Sequence, residues 1–397
     1  MTYERLLKPE PQNWLMNHHD FGAQRYSALD TINRSNVRNL KLAFAIALGG
    51  TSIDEYLQLT PLVDDGFMYV VDSWGIVSKV DVRSGTAGQI VWQMNPRQEK
   101  QDRNRGVALW NNLVISQTGF AARVVATDRD TGKVMWETNL LDQADLELTT
   151  APLALKDQII VGGSGGDRGI RPWVVSLDAR TGALQWKTHS VPGPGEPGSE
   201  TWKGGSNAWQ TGGGSFYVTG SYDPATNLTY WGSGNPAPAY DPPQHEGCAS
   251  ITTDHSMHVK GNFWGGVTGA DGPITSSLVT LDPGSGELKK RVELPYPNYA
   301  GALTTAGGIV VTALIDGTIL AFDDESLREL WRINVGTGFN APPMTYSVGG
   351  KQYIAIASGL CCAGTAPGQY RNARVRISRT PELRQIGNAT MVFVFGL

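Results

Sequence analysis

Paired apolar runs, each interrupted by a short polar turn, recur along this chain. PLVDDGFMYVVDS (Pro61–Ser73), APLALKDQIIVGGS (Ala151–Ser164) and GGIVVTALIDGTILAFD (Gly307–Asp323) each read as two alternating strands joined by an Asp-Gly or Lys-Asp turn. A longer pattern overlies these pairs: a short apolar strand, Asp, two residues, a Gly-containing turn, then an apolar strand often ending in Trp. Its copies are VDVRSGTAGQIVW (Val80–Trp92), TDRDTGKVMW (Thr127–Trp136), LDARTGALQW (Leu177–Trp186), LDPGSGELKK (Leu281–Lys290) and FDDESLRELW (Phe322–Trp331). Their Asp residues stand at 81, 128, 178, 282 and 323, with separations of 47, 50, 104 and 41. That is the period of a propeller blade, with loops or a degenerate blade in the long gap.

The repeat has a physical reading. Asp and Thr or Ser tie each turn through side-chain bonds to the backbone, and Gly takes the positive-φ position of the hairpin. The Trp at the end of the following strand is expected between neighbouring blades, where its ring buries much apolar area. A lone four-stranded sheet cannot bury both faces, so the units close into a ring. The expected fold is an all-β propeller of four-stranded antiparallel blades, six or seven in number. MVFVFGL (Met391–Leu397) is expected to complete a blade begun by LKLAFAIAL (Leu40–Leu48). No linker divides residues 1–397, so a single domain closed by its two terminal strands is expected.

Composition agrees with many short strands. The 48 Gly and 22 Pro make up about one residue in six. Charged residues are 18% and the net charge is −4, which implies no basic face for nucleic acid. No apolar run reaches the ~18–20 residues of a membrane span. The start, MTYERLLKPEPQNW, lacks the apolar core of a signal peptide, and reads as a mature N-terminus with an added Met or as a cytosolic chain. The three Cys, at 248, 361 and 362, have neither metal-type spacing nor a disulfide framework. The vicinal pair Cys361-Cys362 reads either as a strained ring disulfide or as two small buried apolar residues.

Candidate chemistry centres on Trp209–Pro238, WQTGGGSFYVTGSYDPATNLTYWGSGNPAP. A Gly-Asn-Pro loop at a strand end bends sharply and presents a carboxamide from a rigid frame. Together with NWLMNHHDFGAQRYSALDTINRSNVRNLKLAF (Asn13–Phe44), GGSGGDRGIRPWVVSLDARTG, PNYAGALTTAGGIVVTA and APPMTYSVGGKQYIAIASG, this segment resembles the pyrroloquinoline-quinone (PQQ) alcohol dehydrogenases, in the same order and over most of the chain. The resemblance implies a quinone and a metal on a propeller axis. It implies Asp167, in Ser164-Gly165-Gly166-Asp167, and Asn235 as metal ligands, with Ca²⁺ as the ion. It implies Arg105 as partner of a quinone carboxylate, hydroxyl donors at Thr149 and Ser164, contacts at Gly165 and Gly166, an amide at Gln58, and Asn262 near the quinone edge. Tyr217 takes the place of the stacking Trp.

The departures are as informative. The family's adjacent Cys pair is expected just before Asn104-Arg105-Gly106, where this chain has Glu99-Lys100-Gln101-Asp102. The blade that carries the family's catalytic Asp is expected to be missing, giving fewer than the family's eight blades. Substitutes for that base are Asp241, His245, Glu246, Asp254, His255 and His258, and none is singled out. The expected activity is oxidation of an alcohol-type substrate in the periplasm, with electrons passed to an external acceptor such as a cytochrome, since no Cys-x-x-Cys-His for haem attachment is present. The alternative is a non-catalytic propeller acting as a binding or assembly module.

Overall fold

The five Asp turns shape the molecule. In a computed structural model, which describes residues 1–49, 57–201, 207–237, 249–253, 258–259, 262–263, 266–270, 276–359, 383 and 386–397, Asp128 Oδ1 accepts from the backbone N–H groups of Asp130 and Thr131 and from Thr131 Oγ1. Asp178, Asp282 and Asp323 repeat the arrangement with Thr181, Ser285 and Ser326. Asp81 differs: it accepts from the backbone and guanidinium of Arg83. The Gly after each tied residue is left-handed, with φ of +73° at Gly132 and Gly182 and +72° at Gly286. In the last copy Leu327 takes that conformation, at φ +53°.

These turns join the outer strands of antiparallel sheets. Blade I comprises Leu62–Asp64, Phe67–Val71, Val77–Asp81 and Gln89–Met94. Blade II comprises Ala108–Trp110, Leu113–Gln117, Arg123–Asp128 and Val134–Asn139. Blade III comprises Leu153–Ala154, Gln158–Gly162, Trp173–Asp178 and Leu184–His189. Blade IV comprises Leu303–Thr305, Ile309–Ala313, Thr318–Asp323 and Glu329–Asn334, with Tyr26–Ser27 added parallel to its first strand. In blade V, Met344–Val348, Lys351–Ser358 and Met391–Gly396 are followed by Lys41–Ala47, which pairs antiparallel with Met391–Gly396. The two ends of the chain thus share one sheet. The fold is a β-propeller of four-stranded antiparallel blades. The copy around Asp282 forms its turn, but its strands Ser276–Leu281 and Leu288–Leu294 pair only with each other among the described residues.

Burial follows position within a blade. The first strand of blade I is buried throughout, whereas Gln89–Met94 is largely exposed. On three outer strands a tryptophan reaches across to the next unit. Trp92 donates its indole N–H to Arg129 O (2.9 Å), and Trp136 donates to Ala179 O (3.3 Å). Trp331 reaches Leu40 O (3.2 Å), while Trp186 is 39% exposed. The Trp rings lie on the turn glycines, so a Cβ at Gly182 would stand 2.5 Å from Trp136 Cε3. Gly182→Ala therefore combines left-handed strain with a steric clash. A loss of about 1–3 kcal/mol in urea unfolding is expected, and an unchanged midpoint would show that the contact is not tight.

Residues 12–27 run along the first strands of several blades. Trp14 and Val63 exchange backbone bonds of 2.9 Å, and Ser347 N–H donates to Gln12 O (2.9 Å). Tyr222 N–H donates to Phe21 O (3.0 Å), and Thr304 N–H to Arg25 O (3.2 Å). Trp14 and Leu15 are fully buried. First strands line the axis of a propeller, so this segment fills the axis rather than lying on the outer surface.

Candidate functional site

Gln58, Arg105 and Thr149 stand just before the first strands of blades I, II and III, whereas Ser164–Asp167 lies between the second and third strands of blade III and Asn235 follows the strand Leu228–Tyr230. Asp167 stands on the one-turn helix Gly166–Arg168, between Gly165 (φ +106°) and Gly169 (φ +74°). A Cβ at Gly165 would lie 2.2 Å from Asp145 O, so only glycine fits there. Gly166 N–H donates to Ser215 Oγ (2.7 Å). Asn235 is fixed by the glycine turn opposite: Gly214 N–H donates to Asn235 O (2.9 Å), Gly234 N–H to Ser215 O (2.7 Å) and Ala237 N–H to Gly212 O (3.0 Å). These bonds bring Asn235 Nδ2 to 2.9 Å from Asp167 Oδ1.

A continuous circuit links these residues to the other candidates. Ser164 Oγ lies 2.9 Å from Thr149 Oγ1 and donates to Glu147 O (3.1 Å). Thr149 O accepts from Arg105 Nη1 (3.0 Å). The Arg105 guanidinium lies 5.3 Å from the centroid of the Tyr217 ring, whose Cε1 is 3.0 Å from a Cβ built on Gly234. Asn235 follows and closes the circuit at Asp167. Thr149 and Ser164 are buried, and Tyr217 is 43% exposed. The strand Asn262–Phe263 has Cα atoms within 8 Å of the Gly166–Arg168 turn; the Asn262 side chain lies outside what the structure describes. Gln58 precedes Thr60, whose N–H donates to Arg105 O (3.2 Å), and Gln58 Oε1 is enclosed without a partner.

The electrostatics around Arg105 include residues the sequence reading did not assign. Asp102 is buried, and burial pushes its carboxyl pKa up, against the opposing charges of Arg103, Arg168 and Arg105. Arg168 pairs with buried Glu147. Asn104 donates Nδ2–H to Gln117 O (3.1 Å) and accepts from Gly106 N–H (3.0 Å), which sets the turn that carries Arg105. From the axial segment, Asn17 Nδ2 and His18 Nε2 reach Thr219, at 3.5 and 3.3 Å. Burial pushes the His18 pKa down. The signal available in the sequence was the polar run Asn17–Asp20 immediately after the apolar Trp14–Met16.

The donor set fits the implied cofactor and ion. Asp167 and Asn235 offer hard oxygens side by side, once the carboxamide turns its Oδ1 inward. Arg105 and the Tyr217 face suit a flat acidic ring, and the enclosed Gln58 Oε1 needs a donor. Among the described residues no three His, Cys, Asp or Glu side chains converge, so oxygens of the cofactor would have to complete the shell of an ion. Asp241, His245, Glu246, Asp254, His255, Cys248, Cys361 and Cys362 lie outside the described residues, and of His258 only the backbone is described.

Known proteins carry the same architecture. The quinohemoprotein alcohol dehydrogenase of Comamonas testosteroni is 31% identical over 301 residues, covering 70% of this chain and 39% of that protein. Methanol dehydrogenase [cytochrome c] subunit 1 of Paracoccus denitrificans is 32% identical over 269 residues, covering 58% of this chain and 41% of that protein. The chain thus spans about two fifths of the length of these relatives. In fold, it superposes on a quinohemoprotein alcohol dehydrogenase from Pseudomonas putida HK5 with a TM-score of 0.84 at 19% identity, covering 100% of this chain and 82% of that one. It superposes on a europium-containing methanol dehydrogenase with a TM-score of 0.80 at 21% identity, covering 99% and 100%. The family described as "PQQ: Glucose/ethanol/alcohol dehydrogenase, beta-propeller domain" matches residues 14–247 and 279–354, well over half of the sequence. On that match the chain belongs to the PQQ-dependent glucose/ethanol/alcohol dehydrogenase β-propeller family.

Proposed function

We propose that this protein is a PQQ-dependent oxidoreductase acting on an alcohol-type substrate, with residues 1–397 forming one propeller around the cofactor. The observation that carries the reading is the circuit Arg105–Thr149–Ser164–Asp167–Asn235–Tyr217. Residues far apart in sequence meet there with the donors that a tricarboxylate quinone and a hard cation require. The bound quinone supplies a hydride acceptor, which side chains alone lack.

Each residue has a distinct task. Arg105 pairs with a carboxylate while remaining anchored on Thr149 O. Tyr217 presents an aromatic face. The Thr149 and Ser164 hydroxyls and the Gln58 amide saturate the polar edge, and Gly165 and Gly166 let the backbone approach closely. Asp167 and Asn235 hold the cation, for which Ca²⁺ is the reading favoured by their oxygen chemistry. A periplasmic site of action and a cytochrome as electron acceptor follow from the likeness to the family and are part of the proposal.

Titrating the apo-protein with PQQ and Ca²⁺ tests the reading. The 12 Trp residues make fluorescence quenching a sensitive signal. Saturable binding at micromolar PQQ, reversed by EDTA, is the expected result. No binding at that concentration would leave a propeller that serves as a binding or assembly module.

A further inference from the structure

The axial segment places a second cation beneath the candidate cofactor site. Arg25 donates from Nη1 to Asn17 O (2.7 Å) and Thr60 Oγ1 (3.1 Å), and from Nη2 to Pro343 O (2.7 Å). Its Nε is enclosed without a partner, and its guanidinium lies 5.2 Å from the centroid of the Trp14 ring. Every acceptor it reaches among the described residues is neutral. Burial alone pushes its pKa down, to about 9. An enclosed charge without a counter-ion is costly, and an anion bound nearby would offset part of that cost. The loop that presents it is strained as well: His19, Ala23 and Arg25 all have left-handed φ, at +83°, +58° and +50°.

Its position gives that charge a direction. Thr60 N–H donates to Arg105 O (3.2 Å), so a single residue separates Arg25 from the Arg105 turn. Asn17, held by Arg25, reaches Thr219 Oγ1, which itself exchanges hydrogen bonds with the backbone of Ala151 (3.1 and 2.8 Å). Thr60, Ala151 and Thr219 each follow a candidate cofactor residue, Gln58, Thr149 and Tyr217, by two positions. The axial loop therefore braces the turns that carry the candidate site.

We propose that Arg25 is a positioning residue for the quinone: its enclosed charge favours a polycarboxylate above it, and its hydrogen bonds hold the turns that carry Gln58 and Arg105. The inference rests on the quinone reading, and the experiment separates the two. PQQ affinity in the presence of Ca²⁺ would be compared for wild type, Arg25→Gln and Arg25→Lys, each checked for folding by circular dichroism. Arg25→Gln is expected to weaken PQQ about tenfold or more, while Arg25→Lys at pH 6 stays within about threefold of wild type. If wild type itself fails to bind PQQ, the quinone reading falls. If wild type and a folded Arg25→Gln bind equally well, only the role of Arg25 falls.

Should Arg25→Gln not fold, the Arg25→Lys protein carries the test alone. An enclosed lysine loses its charge more readily than arginine, so its PQQ affinity should drop about tenfold between pH 6 and pH 8.5. Wild type should change by less than about threefold. Burial lowers the pKa of neighbouring His18, and a hydrogen bond from His19 lowers that of Asp20; both remain in the wild-type protein, so its pH dependence over the same range serves as the control for them. Equal affinity of Arg25→Lys at the two pH values would overturn the proposal.

Discussion

Replacing Asp167 and Asn235 together by Ala is expected to weaken metal-dependent PQQ retention on the order of 100-fold, with little change in the stability of the apo-protein. The two effects separate for a physical reason. Asp167 is only half-buried and Asn235 is exposed, and besides bonding Asp167 the Asn235 amide donates to Pro236 O. An exposed polar pair of this kind adds little to folding. A cation, however, would lose the carboxylate and the carboxamide oxygen offered by this pair, each a charge-assisted contact of about 1.5–3 kcal/mol. Equilibrium dialysis with PQQ and Ca²⁺, run beside thermal melts of the apo-protein, measures both quantities. Unchanged retention in the double variant would mean that Asp167 and Asn235 serve only to tie their two loops together. Asp167→Glu keeps the carboxylate on a longer stem and should retain binding where alanine weakens it.

The second large effect concerns stability. Asp64 is 2% exposed and lies between two arginines: Arg5, from the helix Tyr3–Leu7, at 2.8 Å, and Arg129, from the Asp turn of blade II. Burial opposes the charge on Arg129, but Tyr69 and Asp64 more than offset it, and the guanidinium pKa stands above its ordinary value. Asp64→Ala would leave Arg129 enclosed without its carboxylate. Removing one partner of such a pair costs about 3–5 kcal/mol, and urea unfolding should show a loss of that size. Asp64→Asn keeps an acceptor and should lose less. A cost below about 1 kcal/mol for Asp64→Ala would show that packing, rather than the ion pair, joins blades I and II.

The same junction gives a pH dependence with a defined sign. The Arg5 hydrogen bond holds Glu10 down at about 2. A carboxyl lowered on folding stabilises the native state above its unfolded pKa, ordinarily near 4.5 for Glu, and that contribution is lost as pH falls through its folded value. Contacts of the axial segment should therefore loosen as pH falls from about 4.5 towards 2, before the blades themselves unfold.

What the sequence determined is what depends on near neighbours and on repetition. The turn at Asp128 is closed by Thr131, three residues on, so four residues suffice to read it. The same grammar repeats at Asp178, Asp282 and Asp323, and repetition at a blade's spacing already implies sheets that bury their faces against one another. The family resemblance was legible for a related reason, since short runs such as Ser164-Gly165-Gly166-Asp167 and Gly234-Asn235-Pro236 are read from adjacent residues. The local rules also had limits. Arg83 takes over the tie at Asp81, and Leu327 adopts the conformation reserved for glycine in the other copies.

The tertiary structure decided which distant groups share a place. Asp167 and Asn235 stand 68 residues apart, and their hydrogen bond exists only because the glycine turn Gly212–Gly214 pairs with the loop after them. Arg25 and Pro343 stand 318 residues apart, and nothing local to either announces that they meet on the axis. Burial is likewise a property of the assembled blades. Nothing in the sequence marks Arg25, Asp102 and Asp64 as buried, and they become costly or consequential groups only when the strands around them exclude water.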